Sequence, residues 1–285
     1  MDVPAAVRRW LEEQGYGPVV EVRTQGGGCI NAAYRLRTAS GARFFLKVNP
    51  AAPEDMFARE AEGLQALAVP RGPKVPRPYL WGRDFLLIED LQPAPPRRDY
   101  WEAFGRAMAY LHLNEGPAFG FHHDNYIGST PQPNPWTEDG YAFYARHRFL
   151  YQARMAYDRG LLPREDLHRV ERLAARLREL VPPQPPSLLH GDLWSGNVMT
   201  DAQGGPAIVD PAAYYGWAEA DLAMTALFGR FPEAFYRAYQ EVRPLEPGWR
   251  ERFSLYNLYH LLNHVNLFGT GYLAETQAVV RRWSG

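Results

Sequence analysis

The sequence predicts an α+β chain with two lobes: a small N-terminal lobe of antiparallel sheet plus a helix, and a larger, mainly helical C-terminal lobe. Short strand-like segments, separated by a glycine loop and a turn, occupy most of residues 19–48. Residues 92–96 (Gln-Pro-Ala-Pro-Pro) have the composition of a linker, and amphipathic helical patterns predominate after them. Because 285 residues suffice for two cores, we expect lobes at residues 1–92 and 93–285.

The composition is that of a globular protein without a strong charge. Apolar residues make up 46% and charged residues 22%, which argues against disorder. The net charge of −1 would attract neither nucleic acid nor an anionic membrane. No apolar run is long enough to span a bilayer, and we expect no signal peptide at residues 1–4. Cys29 is the only cysteine, so a reducing cytoplasm fits best.

One helix and three strands are predicted in the first part of the N-terminal lobe. The helix covers residues 5–15, where an amphipathic pattern ends at a glycine. The strands are residues 19–22, 33–37 and 44–48. Adjacent glycines in the first loop let the backbone approach an anion, and these are Gly26, Gly27 and Gly28. The loop alone is a weak signal, because it does not match Gly-x-Gly-x-x-Gly.

A lysine inside the third strand is more informative. Lys47 is surrounded in sequence by Phe, Leu and Val, where a charge is costly to bury unless it is paired. The next segment has apolar residues at helical spacing, at Phe57, Leu64 and Leu67. Glu60 falls on that face, whereas Glu62, about 200° further round, should face water. A strand Lys paired with a helix Glu orients nucleotide phosphates in protein kinases. The alternative is a solvated charge beside the apolar face.

A buried strand at residues 84–88 leads to the predicted connection between the lobes. Glu89, Asp90 and Leu91 leave this strand just before the proline-rich linker. In a kinase arrangement the equivalent segment lies beside the nucleotide base. We therefore expect backbone atoms of these three residues to contact adenine.

Helical patterns predominate in the C-terminal lobe. The predicted helices are residues 101–111, 141–152, 167–180, a helix starting at 221, 233–242 and 250–268. Residues 114–140 lack periodicity and either line a ligand site or form an extended coil pinned by prolines. His260 and His264 have a spacing that can ligate zinc, but Leu261 stands where a metalloprotease has its glutamate. Polar side chains within a buried aromatic helix are the better interpretation.

The most informative motif is residues 189–197 (Leu-His-Gly-Asp-Leu-Trp-Ser-Gly-Asn). Four residues separate Asp192 from Asn197, and Asp210 ends a short apolar run further on. Protein kinases place a catalytic Asp and an Asn at this spacing, with a metal-binding Asp on the next strand. One carboxylate accepts a proton from the attacking hydroxyl, while the amide and the second carboxylate hold Mg²⁺ against ATP. Each residue alone also fits an ordinary turn, but several in register favour the catalytic interpretation.

Together these segments resemble the fructosamine (ketosamine) kinase family, a branch of the aminoglycoside phosphotransferase and choline kinase group with a protein-kinase-like fold. The matching segments cover nearly the whole chain and are residues 26–31, 45–49, 121–136, 143–148, 189–197, 210–224 and 258–269. The Trp-Ser pair at 194–195 separates this family from its relatives, which usually lack it.

The resemblance implies ATP-dependent phosphorylation of a ketosamine, at the 3-hydroxyl of the sugar, in deglycation repair. The acceptor is then a free or protein-bound ribulosamine-type or fructosamine-type adduct. By match, Asp192 is the base, Asn197 and Asp210 are the Mg²⁺ ligands, and Lys47 with Glu60 orients the phosphates.

The resemblance also implies roles around these residues. Asp221 matches an Asp at a helix start that supports the loop through backbone hydrogen bonds, and His190 is a further candidate beside the base. Trp194 either offers a face to the sugar or is a core residue that supports the loop.

Cys29 lies in the glycine loop, where oxidation of its thiol would block ATP binding or link two chains. The alternative is a small buried side chain that fills space.

Two other functions stay open from the sequence. One is a kinase of another small hydroxyl compound, such as an aminoglycoside or choline. The other is a nucleotide-binding pseudokinase, although every catalytic position is filled. Residues 210–212 (Asp-Pro-Ala) replace Asp-Phe-Gly and no activation segment ending in Ala-Pro-Glu exists, which argues against peptide hydroxyls as acceptors. We expect no nucleic-acid or membrane partner and a monomer or weak dimer.

Overall fold

Five antiparallel strands form the sheet of the N-terminal lobe in a computed structural model that describes residues 3–26 and 31–285. They are β1 (Val19–Gln25), β2 (Ala32–Thr38), β3 (Arg43–Val48), β4 (Pro78–Trp81) and β5 (Phe85–Glu89). Their order across the sheet is β1-β2-β3-β5-β4. The predicted antiparallel sheet is confirmed, and β4 is an edge strand that was not predicted from the sequence.

The two faces of this sheet pack against different helices. Phe44 and Leu46 of β3 belong to one apolar cluster with α1 (Ala5–Glu13). Successive side chains of a strand point to opposite faces, so Lys47 lies on the other side. There it meets α2 (Met56–Leu67), whose apolar face joins the core shared with the C-terminal lobe.

Helices make up most of the C-terminal lobe, as predicted. They are α3 (Tyr100–His112), α4 (Gly140–Tyr144), α5 (Tyr151–Asp158), α6 (Arg164–Ala175), α7 (Leu177–Leu180), α8 (Ala218–Met224), α9 (Glu233–Val242), α10 (Phe253–Phe268) and α11 (Leu273–Trp283). Short strands pair antiparallel: β6 (Asn125–Ile127) with β7 (Thr130–Gln132), β8 (Ser187–Leu189) with β11 (Tyr214–Gly216), and β9 (Val198–Thr200) with β10 (Pro206–Ile208). None of the helices in the described part of the chain has the length and apolar character needed to cross a bilayer.

Helix α10 is the centre of the C-terminal lobe. It is buried on nearly all sides, and α5, α8 and α11 pack around it. A helix that is apolar all round belongs in a core rather than at a surface. His264 Nδ1 donates to the main-chain oxygen of His260 at 2.7 Å, and His260 is 5% exposed. The two histidines are thus polar side chains on a core helix.

Several helices differ from their predicted bounds, including α8, which begins at Ala218 instead of residue 221, and α1, which ends at Glu13 instead of residue 15. The helix predicted over 141–152 contains a π-helical segment, Ala145–Leu150, between α4 and α5. Within it Arg148 is fully buried and donates to Pro133 O at 2.8 Å and to Asn134 Oδ1 at 2.7 Å. The helix predicted over 167–180 is interrupted at Arg176 (φ −100°, ψ 4°), and the last predicted helix begins at Phe253 instead of residue 250.

A buried ion pair joins the start of α10 to α8. Arg252 Nε and Nη2 donate to the two carboxylate oxygens of Glu219 at 2.7 and 2.6 Å, and the Tyr256 hydroxyl donates to the same carboxylate at 3.0 Å. Glu219 is 1% exposed and Arg252 is 8% exposed. Because the carboxylate is inaccessible to water, losing the guanidinium would leave an uncompensated buried charge.

We predict that Arg252→Met lowers the free energy of unfolding by ~3–5 kcal/mol, measured by urea denaturation, because the Glu219 charge stays buried without its partner. The matched control is Arg106→Met, which removes an arginine from a pair with Glu241 whose side chains are 43% and 53% exposed. That control should lower the free energy of unfolding by less than about 1 kcal/mol. Equal losses in the two variants would contradict the prediction.

Candidate active site

The loop of residues 190–197 connects β8 to β9 and brings two predicted site residues together. Asn197 Nδ2 donates to Asp192 Oδ2 at 3.0 Å and to the Asp192 main-chain oxygen at 2.9 Å. Gly191 has φ +82°, and a Cβ at this position would lie 2.0 Å from the carbonyl oxygen of Ala212. Glycine is therefore required for the loop to lie against the segment that follows Asp210.

Asp221 of α8 holds the beginning of this loop. Its Oδ2 and Oδ1 accept hydrogen bonds from the backbone N–H groups of His190 at 2.7 Å and Gly191 at 2.9 Å. The Nδ1 of His190 accepts from the backbone N–H of Asp192 at 3.2 Å, so its Nε2 carries the proton and donates to Val209 O at 2.9 Å. Burial lowers the pKa of His190, which keeps the ring neutral in this arrangement.

His112, at the end of α3, is a further member of this group that the sequence analysis missed. Its Nε2 lies 3.2 Å from Asp221 Oδ2 and its Nδ1 lies 2.8 Å from the Tyr239 hydroxyl. Burial lowers the pKa of His112. Burial acts to raise the pKa of Asp221, but the hydrogen bond with His112 and other favourable contacts outweigh it, so the pKa of Asp221 lies below its ordinary value. A histidine in the last turn of an amphipathic helix is equally favourable when the end of that helix is exposed. The sequence therefore does not indicate that His112 is buried against Asp221.

Lys47 lies where the two lobes meet. It is 6% exposed and contacts the carboxylates of Glu60 on α2 and Asp210 in the C-terminal lobe. Burial lowers the pKa of Lys47, but the two carboxylates act more strongly and raise it above its ordinary value. Burial raises the pKa of Glu60, an effect that Lys47 partly offsets. The Lys47–Asp210 contact joins residues 163 positions apart in the chain.

Asp210 and Asp192 face the same region. Asp210 has φ +57°, a left-handed conformation that is uncommon outside glycine and is often found at functional sites. Burial raises the pKa of Asp192 to about 7; the nearby carboxylates of Asp210 and Asp221 act in the same direction, whereas the hydrogen bond from Asn197 opposes them. Several carboxylates that share one region favour a bound cation.

The donor atoms near Asp192 suit a hard divalent cation rather than zinc. Within residues 3–26 and 31–285 no group of three His, Cys, Asp or Glu side chains is arranged to hold a metal. Mg²⁺ needs fewer protein ligands, because it usually binds one or two protein oxygens and takes the remainder from phosphates and water. The carboxylate of Asp210, whose side chain is 50% exposed, and the amide oxygen of Asn197 are ligands of that kind.

The predicted nucleotide-contacting residues lie at the end of β5. Glu89 Oε2 accepts from Lys74 Nζ at 2.7 Å and from the backbone N–H of Arg77 at 3.2 Å. Asp90 Oδ1 accepts from the backbone N–H of Gln92 at 3.1 Å, and Leu91 is buried. Gly26 directly follows β1, at the start of the glycine loop. The predictions for Gly27, Gly28 and Cys29 fall outside the described residues.

Trp194 is partly exposed beside the Asp192 loop. Its ring lies over Gly196, where an added Cβ would approach the ring carbons to 2.3 Å. The same ring makes an edge-to-face contact with Phe228 at a centroid distance of 5.9 Å. Trp194 therefore packs on its own loop and still leaves part of its surface accessible.

Residues 114–140 are anchored by side-chain amides that the sequence analysis did not identify. Gln132 Nε2 donates to Ala212 O at 3.0 Å, and Asn125 Nδ2 donates to Ala213 O at 2.8 Å. These bonds hold the backbone just after Asp210.

The same segment corrects the prediction for Glu62. Its carboxylate accepts from Arg59 Nη1 at 3.1 Å and lies 2.8 Å from His123 Nδ1. Glu62 is 24% exposed, so these partners, and not water alone, surround it. These partners could not be predicted, because the position of a residue around its helix does not indicate which distant loop packs against it. His123 lies 61 residues further along the chain.

Comparison with known proteins identifies the family. The family model for fructosamine kinase matches residues 4–284. A probable ketoamine kinase of Synechocystis is 44% identical over 272 residues, which covers 93% of this chain and 90% of that protein. A chloroplastic protein-ribulosamine 3-kinase of Oryza sativa is 38% identical over 291 residues, covering 96% and 82%.

A solved structure agrees with these relatives. The crystal structure of a fructosamine-3-kinase homologue from Thermobifida fusca has a TM-score of 0.89 and 38% identity, and 98% of each chain is covered. The family model and this structure thus each match nearly the whole chain. The chain belongs to the fructosamine kinase family.

Proposed function

We propose that the protein is an ATP-dependent kinase that phosphorylates a sugar hydroxyl of ketosamines, at the 3-hydroxyl, in the repair of glycated amines. The observation that carries this proposal is the grouping of Asp192, Asn197, Asp210 and Lys47 at the junction of the lobes. The ketoamine kinase and ribulosamine 3-kinase names of its relatives support the acceptor class.

Asp192 is the proposed general base. A carboxylate with a pKa of about 7 accepts a proton more readily than an ordinary aspartate and is still ionised in part at neutral pH. Asn197 holds its carboxylate, and His190 holds its backbone N–H. The base is thereby oriented before the acceptor binds, which is how positioning lowers an activation barrier.

Lys47 is proposed to bind the phosphates of ATP, with Glu60 fixing its position. The glycine loop at Gly26, Gly27 and Gly28 would cover the phosphates, and the backbone at 89–91 would contact adenine. Support for the lysine comes from its burial and from its two carboxylate partners.

We propose that Asn197 and Asp210 hold Mg²⁺. The ion would neutralise negative charge on the phosphates of ATP. The left-handed backbone at Asp210 directs its half-exposed carboxylate toward the junction of the lobes, where it meets Lys47.

We further propose that the lobes divide after residue 92 and that the protein is cytoplasmic. The N-terminal sheet ends at Glu89, and the following segment already pairs with the C-terminal lobe, since Ala94 N donates to Asp201 O at 3.0 Å. A single cysteine fits a reducing compartment.

We predict that Asp192→Asn lowers kcat by about 10²–10⁴-fold, because the amide cannot accept the hydroxyl proton, while ATP binding persists. ATP consumption and nucleotide titration measure the two effects. Asp99→Asn, at a side chain that is 65% exposed, is the matched control and should retain the wild-type rate. Turnover by Asp192→Asn at the rate of that control would show that the base is misassigned.

Removal of divalent cations with EDTA should abolish turnover, and added Mg²⁺ should restore it. Asn197→Ala should raise the Mg²⁺ concentration required for half-maximal rate by about tenfold or more, since one oxygen ligand is lost. Asn114→Ala, which removes an amide from the end of α3, serves as the control. Undiminished turnover in excess chelator would rule out the metal assignment.

The acceptor is tested with ribulosamine, fructosamine and erythrulosamine compounds beside an aminoglycoside and choline. We expect ATP-dependent phosphorylation of one or more ketosamines, with the phosphorylated carbon identified as C3 by NMR. Phosphorylation of only the aminoglycoside or choline would replace the proposed function by its nearest alternative. Nucleotide binding without turnover on any acceptor would indicate a pseudokinase.

A further inference from the structure

Five aromatic side chains form a continuous surface that begins at the 190–197 loop; we call it the aromatic wall, and its members are Trp194, Phe228, His264, Phe268 and Tyr272. The Trp194 and Phe228 rings meet edge to face at 5.9 Å. His264 lies 4.9 Å from the centroids of both Phe228 and Tyr272, and Phe268 lies 5.4 Å from His264. The proposed phosphoryl-transfer reaction does not use the last four.

The aromatic wall is accessible, unlike the aromatic clusters of the core. Phe268 is 57% exposed, and the other four members are partly exposed. Contiguous exposed apolar surface is often a site of ligand or partner binding, whereas isolated exposed apolar residues are common and need no explanation. One end of the wall is fixed two residues from Asp192, because the Trp194 ring rests on Gly196.

A negative charge accompanies these rings. Glu275 lies in the first turn of α11, which begins directly after Tyr272, and its carboxylate acts against the burial that lowers the pKa of His264. Aromatic faces attract cations through their quadrupole, and a carboxylate adds to that attraction. The surface therefore suits a cationic group attached to an apolar chain.

We propose that the aromatic wall binds the amine side of the acceptor: the secondary ammonium group next to Trp194 and its aliphatic carrier chain along Phe228 and Phe268. This inference rests on the proposed function, because the ammonium group that it places next to Trp194 is that of a ketosamine acceptor. In a ketosamine the nitrogen is bonded to C1, two carbons from the C3 hydroxyl. When that hydroxyl reaches Asp192, the nitrogen and its carrier extend over the side chains next to the base.

The wall then provides specificity for the carrier rather than for the sugar. A lysine side chain offers methylene groups, each of which gains about 0.8 kcal/mol when fully buried against apolar rings. A ketosamine without a carrier has nothing to place on Phe228 or Phe268. We therefore expect the wild-type protein to have a KM for an N-butyl ketosamine about tenfold lower than for the unsubstituted 1-amino-1-deoxyketose.

The experiment measures KM and kcat for these two acceptors, built on the ketose that the wild-type protein phosphorylates best. Phe228→Ala and Phe268→Ala should each raise the KM for the N-butyl compound about three- to tenfold, with the KM for the unsubstituted compound and for ATP unchanged. Because Phe268 is largely exposed, its replacement should not disturb folding. Trp81→Ala, at another exposed aromatic residue in the N-terminal lobe, is the control and should change neither KM.

Each other outcome overturns the inference. If both acceptors lose affinity equally in the two phenylalanine variants, the wall only supports the 190–197 loop. If the wild-type protein phosphorylates both acceptors with the same KM, the carrier is not recognised, although the proposed function stands. If it phosphorylates no ketosamine at all, the proposed function fails and takes this inference with it.

Discussion

The buried ammonium group of Lys47 is the interaction on which the rest of the structure depends. It is held between Glu60 of the small lobe and Asp210 of the large lobe, and it is almost inaccessible to water. A buried cation is tolerable only when its partners stay in place, since leaving Lys47 or the largely buried Glu60 unpaired costs several kcal/mol. The relative position of the two lobes at this point is thus set by electrostatics as well as by packing.

Behind the junction, hydrogen bonds to the backbone fix the 190–197 loop. Asp221 binds the first two N–H groups of the loop, His112 binds Asp221, and the ring of His190 spans from Asp192 to Val209. All of these groups are buried or nearly so, where a hydrogen bond is stronger and an unmade one is more costly than in water. The result is a rigid support beneath a partly exposed carboxylate and tryptophan.

Local sequence patterns were sufficient to predict the parts of the site that lie on helices, on strands or in short motifs. Helix phase placed Glu60 toward Lys47, and strand alternation explains why that lysine faces α2. The spacing of Asp192 and Asn197 likewise follows from one short loop. The fold class was predictable for the same reason, because strands, linker and helices follow each other in separate blocks of the chain.

Contacts between residues far apart in the chain could not be predicted from local sequence patterns. His112, Asn125 and Gln132 have ordinary sequence surroundings, and their importance comes from contacts with residues 80 or more positions away. The π-helical segment around Arg148 was not predicted for a different reason: one inserted residue scarcely alters the periodicity of the apolar residues. The contacts of Glu62 required knowledge of where a distant loop passes.

Gly191 has one consequence for how such a protein can change over evolutionary time. The loop that bears Asp192 touches the segment after Asp210 through main-chain atoms, with Ala212 N donating to His190 O at 2.9 Å and no room for a side chain between them. The separation of the Asp192 and Asp210 carboxylates is consequently set in part by main-chain contacts, in addition to the side-chain bonds of Asp221, Asn125 and Gln132. Substitutions on the neighbouring surface can therefore accumulate while the main-chain contact that sets this separation is kept.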